Sequence, residues 1–223
     1  MPLTSGLHDV PAGKLAAVVT YLEMRARPSP RAERGAASGE TPWSLRRVES
    51  PSLAWYRELY RRVGEEWLWS SRLEMPDQAL TSILGDASVE VHALQRDGRD
   101  EGLLELDFRQ SGACELAFFG LASPLVGQGA GRWLMNRAIE RAWSRPLERF
   151  WVHTCSLDSP GALDFYRRSG FAAYAVKVDV YDDPRLTGVL PRAAARQVPL
   201  IDPERGRRPG YLLQGGVTPL ERA

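Results

Sequence analysis

The spacing of apolar positions divides the chain into alternating strands and helices. Leu53, Tyr56, Leu59, Tyr60 and Val63 fall on one helical face, and so do Leu134, Met135, Ala138, Ile139, Ala142 and Trp143, which predicts helices over 53–63 and 132–143. Tyr174, Val176, Val178 and Val180 alternate with period two inside a predicted strand from Phe171 to Tyr181. Short runs at Trp43–Val48, Val89–Gln95, Gly102–Phe108, Cys114–Ala122 and Arg149–Cys155 read as further strands. The turn dipeptides Asp97-Gly98 and Ser111-Gly112 join three of these into an antiparallel meander. A short helix is expected from Pro76 to Leu84, with the proline at its start, after a loop from Gly64 to Met75. The order from Trp43 onward is β-α-α-β-β-β-α-β-α-β. The fold class is therefore α/β, with one mixed, mostly antiparallel sheet.

Outside this core the patterning weakens. Leu15–Met24 reads as a strand, with a helix as the alternative, and Pro28–Pro42 is a polar linker rich in Pro, Gly, Ala and Arg. Residues 1–42 are accordingly taken as an N-terminal extension, 43–182 as the main domain, and 183–223 as a Pro- and Gly-rich segment without a strand pattern.

At 223 residues the chain can bury a sizeable core. Its 29 Lys and Arg nearly balance its 28 Asp and Glu, which gives no electrostatic reason to expect nucleic acid or an anionic membrane as partner. The arginine clusters at 25–34 and 205–208 are interspersed with Pro and Gly and read as solvated linker. Cys114 and Cys155 lack metal-ligand spacing, so a reduced, cytoplasmic protein without a metal is expected. The apolar run Leu15–Val19 is too short to span a bilayer.

The chemistry concentrates after residue 114. Val126-Gly127-Gln128-Gly129-Ala130-Gly131 lies between the fourth strand of the main domain and the helix that begins near Arg132. The first turn of a helix has N–H groups without intrahelical partners and carries partial positive charge, while glycines let an anion approach the backbone. The run lacks the Lys-Ser/Thr pair of a P-loop and the G-x-G-x-x-G spacing of a dinucleotide fold. About thirty residues on, Ser159 or Asp158 is placed to cap a helix with Pro160 in its first turn, and Gly170 is placed to end it.

Together these segments resemble motifs A and B of the Gcn5-related N-acetyltransferase superfamily. Motif A, Q/R-x-x-G-x-G/A, is matched from Val126 to Gly131 except at the first position. Motif B, N-x-x-A-x-x-x-Y-x-x-x-G-F, is matched by Ser159, Ala162, Tyr166, Gly170 and Phe171, with Ser for Asn. The resemblance implies an acyl-CoA N-acyltransferase fold in which the fourth and fifth strands splay apart, and it leaves the fold's seventh strand unassigned. It implies acetyl-CoA as acyl donor, with pantetheine paired to Gly120, Leu121 and Ala122 and pyrophosphate on residues 127–132, among them Gln128, Ala130 and Arg132. Ser159 would add a donor contact.

The resemblance also implies that an amine attacks the thioester directly, so the protein must accept a proton from the amine and supply one to the leaving thiolate. Tyr166 is the candidate acid and Glu115, fourteen residues before Gly129, the candidate base, with His153 as the alternative base. Glu65, Glu66, Trp67 and Trp69 are the candidates for holding the amine, by ion pairing and cation–π contact, with His153 near the cleft mouth. The expected partner is a small-molecule amine, and a homodimer is left open. A catalytically silent acyl-CoA-binding domain and a protein acetyltransferase are the alternative readings.

Overall fold

The computed structural model describes residues 4–33 and 41–205. Among them are seven strands, β1 (Lys14–Met24), β2 (Trp43–Arg47), β3 (Val89–Arg96), β4 (Arg99–Asp107), β5 (Ala113–Leu121), β6 (Arg149–Cys155) and β7 (Ala172–Asp182). Five α-helices accompany them: α1 (Leu53–Gly64), α2 (Ser71–Glu74), α3 (Asp77–Leu84), α4 (Ala130–Ala142) and α5 (Ala162–Arg168). The strands form one mixed sheet in the order β2-β3-β4-β5-β6-β1-β7. Every neighbouring pair is antiparallel except β5 and β6, which α4 connects as a crossover.

The seventh strand comes from the start of the chain. β1 lies between β6 and β7 and is antiparallel to both, with Val19 opposite Cys155 on one side and Lys177 on the other. No strand follows β7 among the described residues. Patterning identified residues 15–24 as a strand but could not place it, because strand pairing at this sequence separation leaves no local signal.

Helices cover both faces. Leu134, Met135 and Ala138 of α4 bury against Leu22, Leu104, Leu106 and Phe150, which are all fully enclosed or nearly so. On the other face Tyr56, Leu59, Tyr60 and Val63 of α1 pack with Leu80, Val91 and Leu103. Each enclosed leucine contributes roughly 1.5–3 kcal/mol relative to exposure. The apolar periodicity of 53–63 and 132–143 marks the two faces that cover the sheet.

Some local boundaries differ from the sequence reading. The expected loop 64–75 contains a 3₁₀ turn at Glu65–Trp67 and the short helix α2. α5 starts at Ala162, because the Asp158 carboxylate folds back onto the end of β6 and does not cap the helix. Residues 28–33 of the expected linker run against α4, and 183–205 pack on the sheet without forming a strand. Residues 34–40 of the linker and 206–223 of the tail lie outside the described residues. At the far edge, β7 exposes Val176, Val178 and Val180 beside Val18 of β1. No helix among the described residues is long and apolar enough to cross a membrane.

Candidate active site

The site begins where the sheet stops being continuous. β5 and β6 are paired only at Ala113 with Arg149, Cys114 with Phe150 and Glu115 with Trp151. Beyond Glu115 the two strands part, so the β6-facing edge of residues 117–121 has no strand partner. A bulge strengthens the bend: Glu105 faces Phe118 and Leu106 faces Leu116, which leaves Ala117 as the extra residue on β5. The gap is a cleft of about 790 Å³ whose wall includes Gly120, Leu121, Val152 and Tyr166.

One end of the cleft is built from backbone. Gly127 has φ 80° and Gly129 has φ 100°, conformations that residues with a Cβ rarely adopt, and Gly129 stands just before α4. A Cβ added at Gly127 would meet no atom within 4 Å, so there is open space in front of the turn. Val126, Gly127, Gly129, Gly131 and Arg132 line the cleft. Ala130 is fully buried, and its place in the first turn directs its N–H toward this end. Gln128 turns its side chain away, donating to the Pro124 carbonyl at 2.6 Å and accepting from Arg96 at 3.1 Å. Open space, left-handed glycines and a helix N-terminus suit the pyrophosphate of a CoA thioester.

Not every expected donor contact lies there. Gly120, Leu121 and Ser159 line the cleft, but Ala122 does not. The Ala122 N–H donates to the Glu101 carbonyl at 2.8 Å and its own carbonyl accepts from Leu125 at 2.9 Å, so both its backbone groups are occupied. Gly120 is required for packing: a Cβ there would come within 2.9 Å of Val63 and 3.0 Å of Trp69.

The opposite end is made of side chains. Trp69 packs between α1 and β5 because Gly64 leaves it room, a Cβ at Gly64 falling 2.6 Å from Trp69 atoms, and its ring meets Phe118 at a centroid distance of 5.5 Å. Its indole N–H donates to Asp158 at 3.1 Å, and the second oxygen of that carboxylate accepts from the Thr154 hydroxyl at 2.7 Å and the Cys155 N–H at 2.8 Å. Trp67 and Trp69 line the cleft, whereas Glu65 and Glu66 do not; Glu66 instead accepts from Ser123 at 2.9 Å. Their place as acidic lining is taken by Glu74, Asp158 and Asp179. Asp179 and Tyr181 come from β7 beside Ala17 and Leu15 of β1. The segment after β7 packs behind this end: Leu190, Ala194 and Ala195 pack with Leu68, and Gln197 donates to the Glu66 carbonyl at 2.7 Å. Arg185, buried against Asp183, holds that segment by donating to the Val198 carbonyl at 2.8 Å.

Tyr166 stands between the two ends. Its ring is enclosed by Phe119, Phe165 and Phe171 at centroid distances of 6.4, 5.6 and 6.0 Å. Burial, with the negative charge of Asp158 behind it, pushes its phenol well above the ordinary tyrosine value. It therefore keeps its proton at any ordinary pH. Cys155 also lines the cleft, but burial and Asp158 raise its thiol, which opposes a thiolate nucleophile.

Glu115 occupies the last paired position of β5, and its carboxylate stands 3.4 Å from His153 Nδ1. His153 lines the cleft and is half exposed; Glu115 sits behind it, outside the lining. The two candidate bases thus form one pair. Beneath this end the Arg72 guanidinium meets the fully buried Glu105 carboxylate, which also accepts from Tyr56, and lies 5.0 Å from the Phe118 ring. Burial drives the Glu105 carboxyl upward against the pull of Arg72 and Tyr56. Sequence patterning gave no hint of this network, whose members look like ordinary helix and strand charges.

The chain is similar to several solved structures. A functionally unknown conserved protein from Staphylococcus epidermidis ATCC 12228 is 16% identical with a TM-score of 0.54, over 77% of this chain and 63% of that one. A putative acetyltransferase of the GNAT family from Novosphingobium aromaticivorans DSM 12444 is 15% identical with a TM-score of 0.51, over 78% and 68%. A GNAT family acetyltransferase from Elizabethkingia anophelis, solved with acetyl-CoA bound, is 16% identical with a TM-score of 0.47, over 61% and 80%. At these identities the first two likenesses show the fold alone, and the chain spans less than two thirds of the Staphylococcus protein. No curated protein matches the sequence. The family description "Acetyltransferase (GNAT) family" matches residues 53–171, from the start of α1 to the residue before β7, which is more than half of the chain. With this match on the same sheet, cleft and glycine turn, the chain belongs to the GNAT acetyltransferase family.

Proposed function

We propose that this protein transfers an acetyl group from acetyl-CoA to a primary amine of a small cationic molecule, both held in the cleft at once. The observation that carries the proposal is the parting of β5 and β6 between a backbone anion cradle and a pocket with acidic and aromatic walls. Acetyl-CoA supplies an activated thioester. The free edge at Gly120 and Leu121 can hold its pantetheine arm as an added strand would be held. Val126 to Arg132 receive the pyrophosphate.

The chain's own residues then handle two protons. His153, backed by Glu115 at 3.4 Å, accepts the proton of the incoming amine, and the carboxylate offsets the charge the imidazole gains. Tyr166, held neutral by burial, gives its proton to the departing sulfur. Leu190 and Ala194 back the cleft wall at Leu68, and a walled acceptor end favours a small molecule over a protein segment.

The test is CoA thiol release across an amine library, with variants. Tyr166→Phe should bind acetyl-CoA as the wild type does and lose ~10²–10⁴-fold in kcat, the scale of a general acid. His153→Gln and Glu115→Gln should each move the rise of rate with pH toward the free amine's own pKa. Since the Tyr166 phenol is raised from about 10, the wild-type rate should show no alkaline fall attributable to it below that pH. Acetyl-CoA binding without thiol release by any amine would instead support a silent binding domain.

A further inference from the structure

A strand at the edge of a sheet leaves a row of backbone N–H and C=O groups unpaired, and folded chains shield such edges with proline, bulges, short length or cover. β7 lacks these devices over most of its length. It is 11 residues long, stands last in the sheet order, and runs in unbroken register with β1 from Ala175 to Asp182, with no proline. Among the described residues no strand pairs with its outer edge.

Its side chains are not those of a solvated edge either. Val176, Val178 and Val180 are 64, 47 and 48% exposed, and Val18 of β1, opposite Val178, is 49% exposed. These valines share one face of the sheet, while Lys177 and Asp179 project from the other. Asp182, at the end of the same strand, is paired with Lys14 at 2.6 Å. Lys177 and Asp179 enter no ion pair among the described residues; the Lys177 ammonium rests 4.7 Å from the Tyr21 ring centroid.

The strand is complementary to itself. When two antiparallel copies meet about a two-fold axis normal to the sheet, opposite residues share a face, so the axis passes through a residue position. With the axis at Val178, Val178 faces Val178, Val176 faces Val180, and Lys177 faces Asp179, the last two pairs occurring twice. An axis at Lys177 or Asp179 would set like charges opposite each other. An axis at Val176 or Val180 would take Lys177 and Asp179 out of opposition. Only the Val178 register matches valine with valine and charge with opposite charge.

We propose that β7 pairs with β7 of a second copy in this register, giving a homodimer with one sheet running through both chains. The backbone ladder and the valine row hold the copies together, and the two Lys177–Asp179 pairs fix the register. Asp179 and Tyr181 also line the cleft, so the interface adjoins the acceptor end of each active site. Lys177 of the second copy then shares the Asp179 carboxylate with the cleft, which keeps the pull of Asp179 on a cationic acceptor small.

The test is sedimentation velocity of the full chain over a concentration series, with thermal unfolding followed for each variant. The wild type should sediment at twice the 24.9 kDa of one chain. Val178→Lys should give a folded monomer. Lys177→Glu and Asp179→Lys each set like charges opposite one another twice and should weaken association by at least about tenfold, less so at high salt. Combined in one chain they should restore most of it, and this rescue decides the matter if Val178→Lys fails to fold. Val178→Cys sets two thiols at the axis, so a short thiol cross-linker should join the copies. Val176→Cys, whose thiols would stand roughly 13 Å apart along the strands, should not be joined. A wild type that stays monomeric at every concentration would overturn the interface. So would a dimer that survives Val178→Lys and in which the combined charge reversal associates no better than either single one.

Discussion

The two ends of the cleft solve recognition in opposite ways. The donor end uses main-chain geometry, with Gly127 and Gly129 in left-handed conformations before α4, and its charged lining is wholly basic: Arg31, Arg132 and Arg168. The acceptor end uses side chains from α2, β6, the turn after β6 and β7, and its charged lining is acidic: Glu74, Asp158 and Asp179. A phosphate ester presents the same oxygens whatever acyl group it carries, so a fixed backbone cradle can serve it. An amine's shape varies, and a pocket of side chains can be varied without disturbing the cradle. The opposite signs also fix direction, because the anionic donor and a cationic acceptor each find one end attractive and the other repulsive.

The sharpest way to separate the ends is to unsettle what lies beneath one of them. The acceptor end rests on the Arg72–Glu105 pair, in which Glu105 has no exposure. Arg72→Met leaves that carboxylate buried without its cation, and urea unfolding at pH 7 should show a loss of about 3–5 kcal/mol. Burial already raises the Glu105 carboxyl, and losing Arg72 raises it further. A group whose folded-state value lies above its unfolded value contributes stability below the unfolded value and loses it as pH rises through the folded one. The penalty in Arg72→Met should therefore shrink toward pH 4, and Arg72→Met with Glu105→Gln should recover most of the stability at pH 7. A loss independent of pH would mean that lost packing on Phe118, not the stranded charge, is responsible.

The contrast also explains what the sequence could reveal. Gly127, Gly129 and Gly170 take left-handed backbone conformations that favour glycine and lie within two short segments, so the turns at the donor end left a local signal in the sequence. Gly170 indeed closes α5 at φ 104°, with the Phe171 N–H donating to the Tyr166 carbonyl at 3.2 Å. The acceptor end joins Trp69 to Asp158, Leu68 to Leu190 and Ala17 to Asp179 across large sequence separations. Nothing local distinguishes Glu74 from Glu66 as a wall residue; the turn at Glu65–Trp67 decides it by directing Glu66 to Ser123. Segment 183–205 looked structureless because its order comes from long-range contacts, the buried Asp183–Arg185 pair and the packing of Leu190 and Ala194 with Leu68 among them, and not from periodicity.

A smaller effect should follow from changing the donor cradle itself. Gly129→Ala puts a Cβ into a left-handed position, costing roughly 1–2 kcal/mol of conformational energy. Acetyl-CoA at ~100 times its Kd should raise wild-type stability by about 2.7 kcal/mol, and the variant should lose most of that gain while retaining affinity for the amine. Parallel loss of amine and donor affinity would show that the ends are not independent.

The smallest expected effect tests whether acidity at the acceptor end selects the substrate. Asp179 is exposed on β7, and its carboxylate enters no ion pair among the described residues. An exposed charge of this kind is worth at most about 1 kcal/mol to a cationic ligand, so Asp179→Asn should raise KM for the amine by no more than ~5-fold and leave kcat unchanged. Added salt should raise the wild-type KM toward the variant's, because screening removes the same interaction. Acetyl-CoA affinity should stay constant, whereas Arg31→Ala should show the reverse selectivity. If Asp179→Asn and Glu74→Gln together leave the amine KM unmoved at low salt, those two carboxylates have no part in choosing the acceptor, and Asp158 with the aromatic walls at Trp67 and Trp69 must select it.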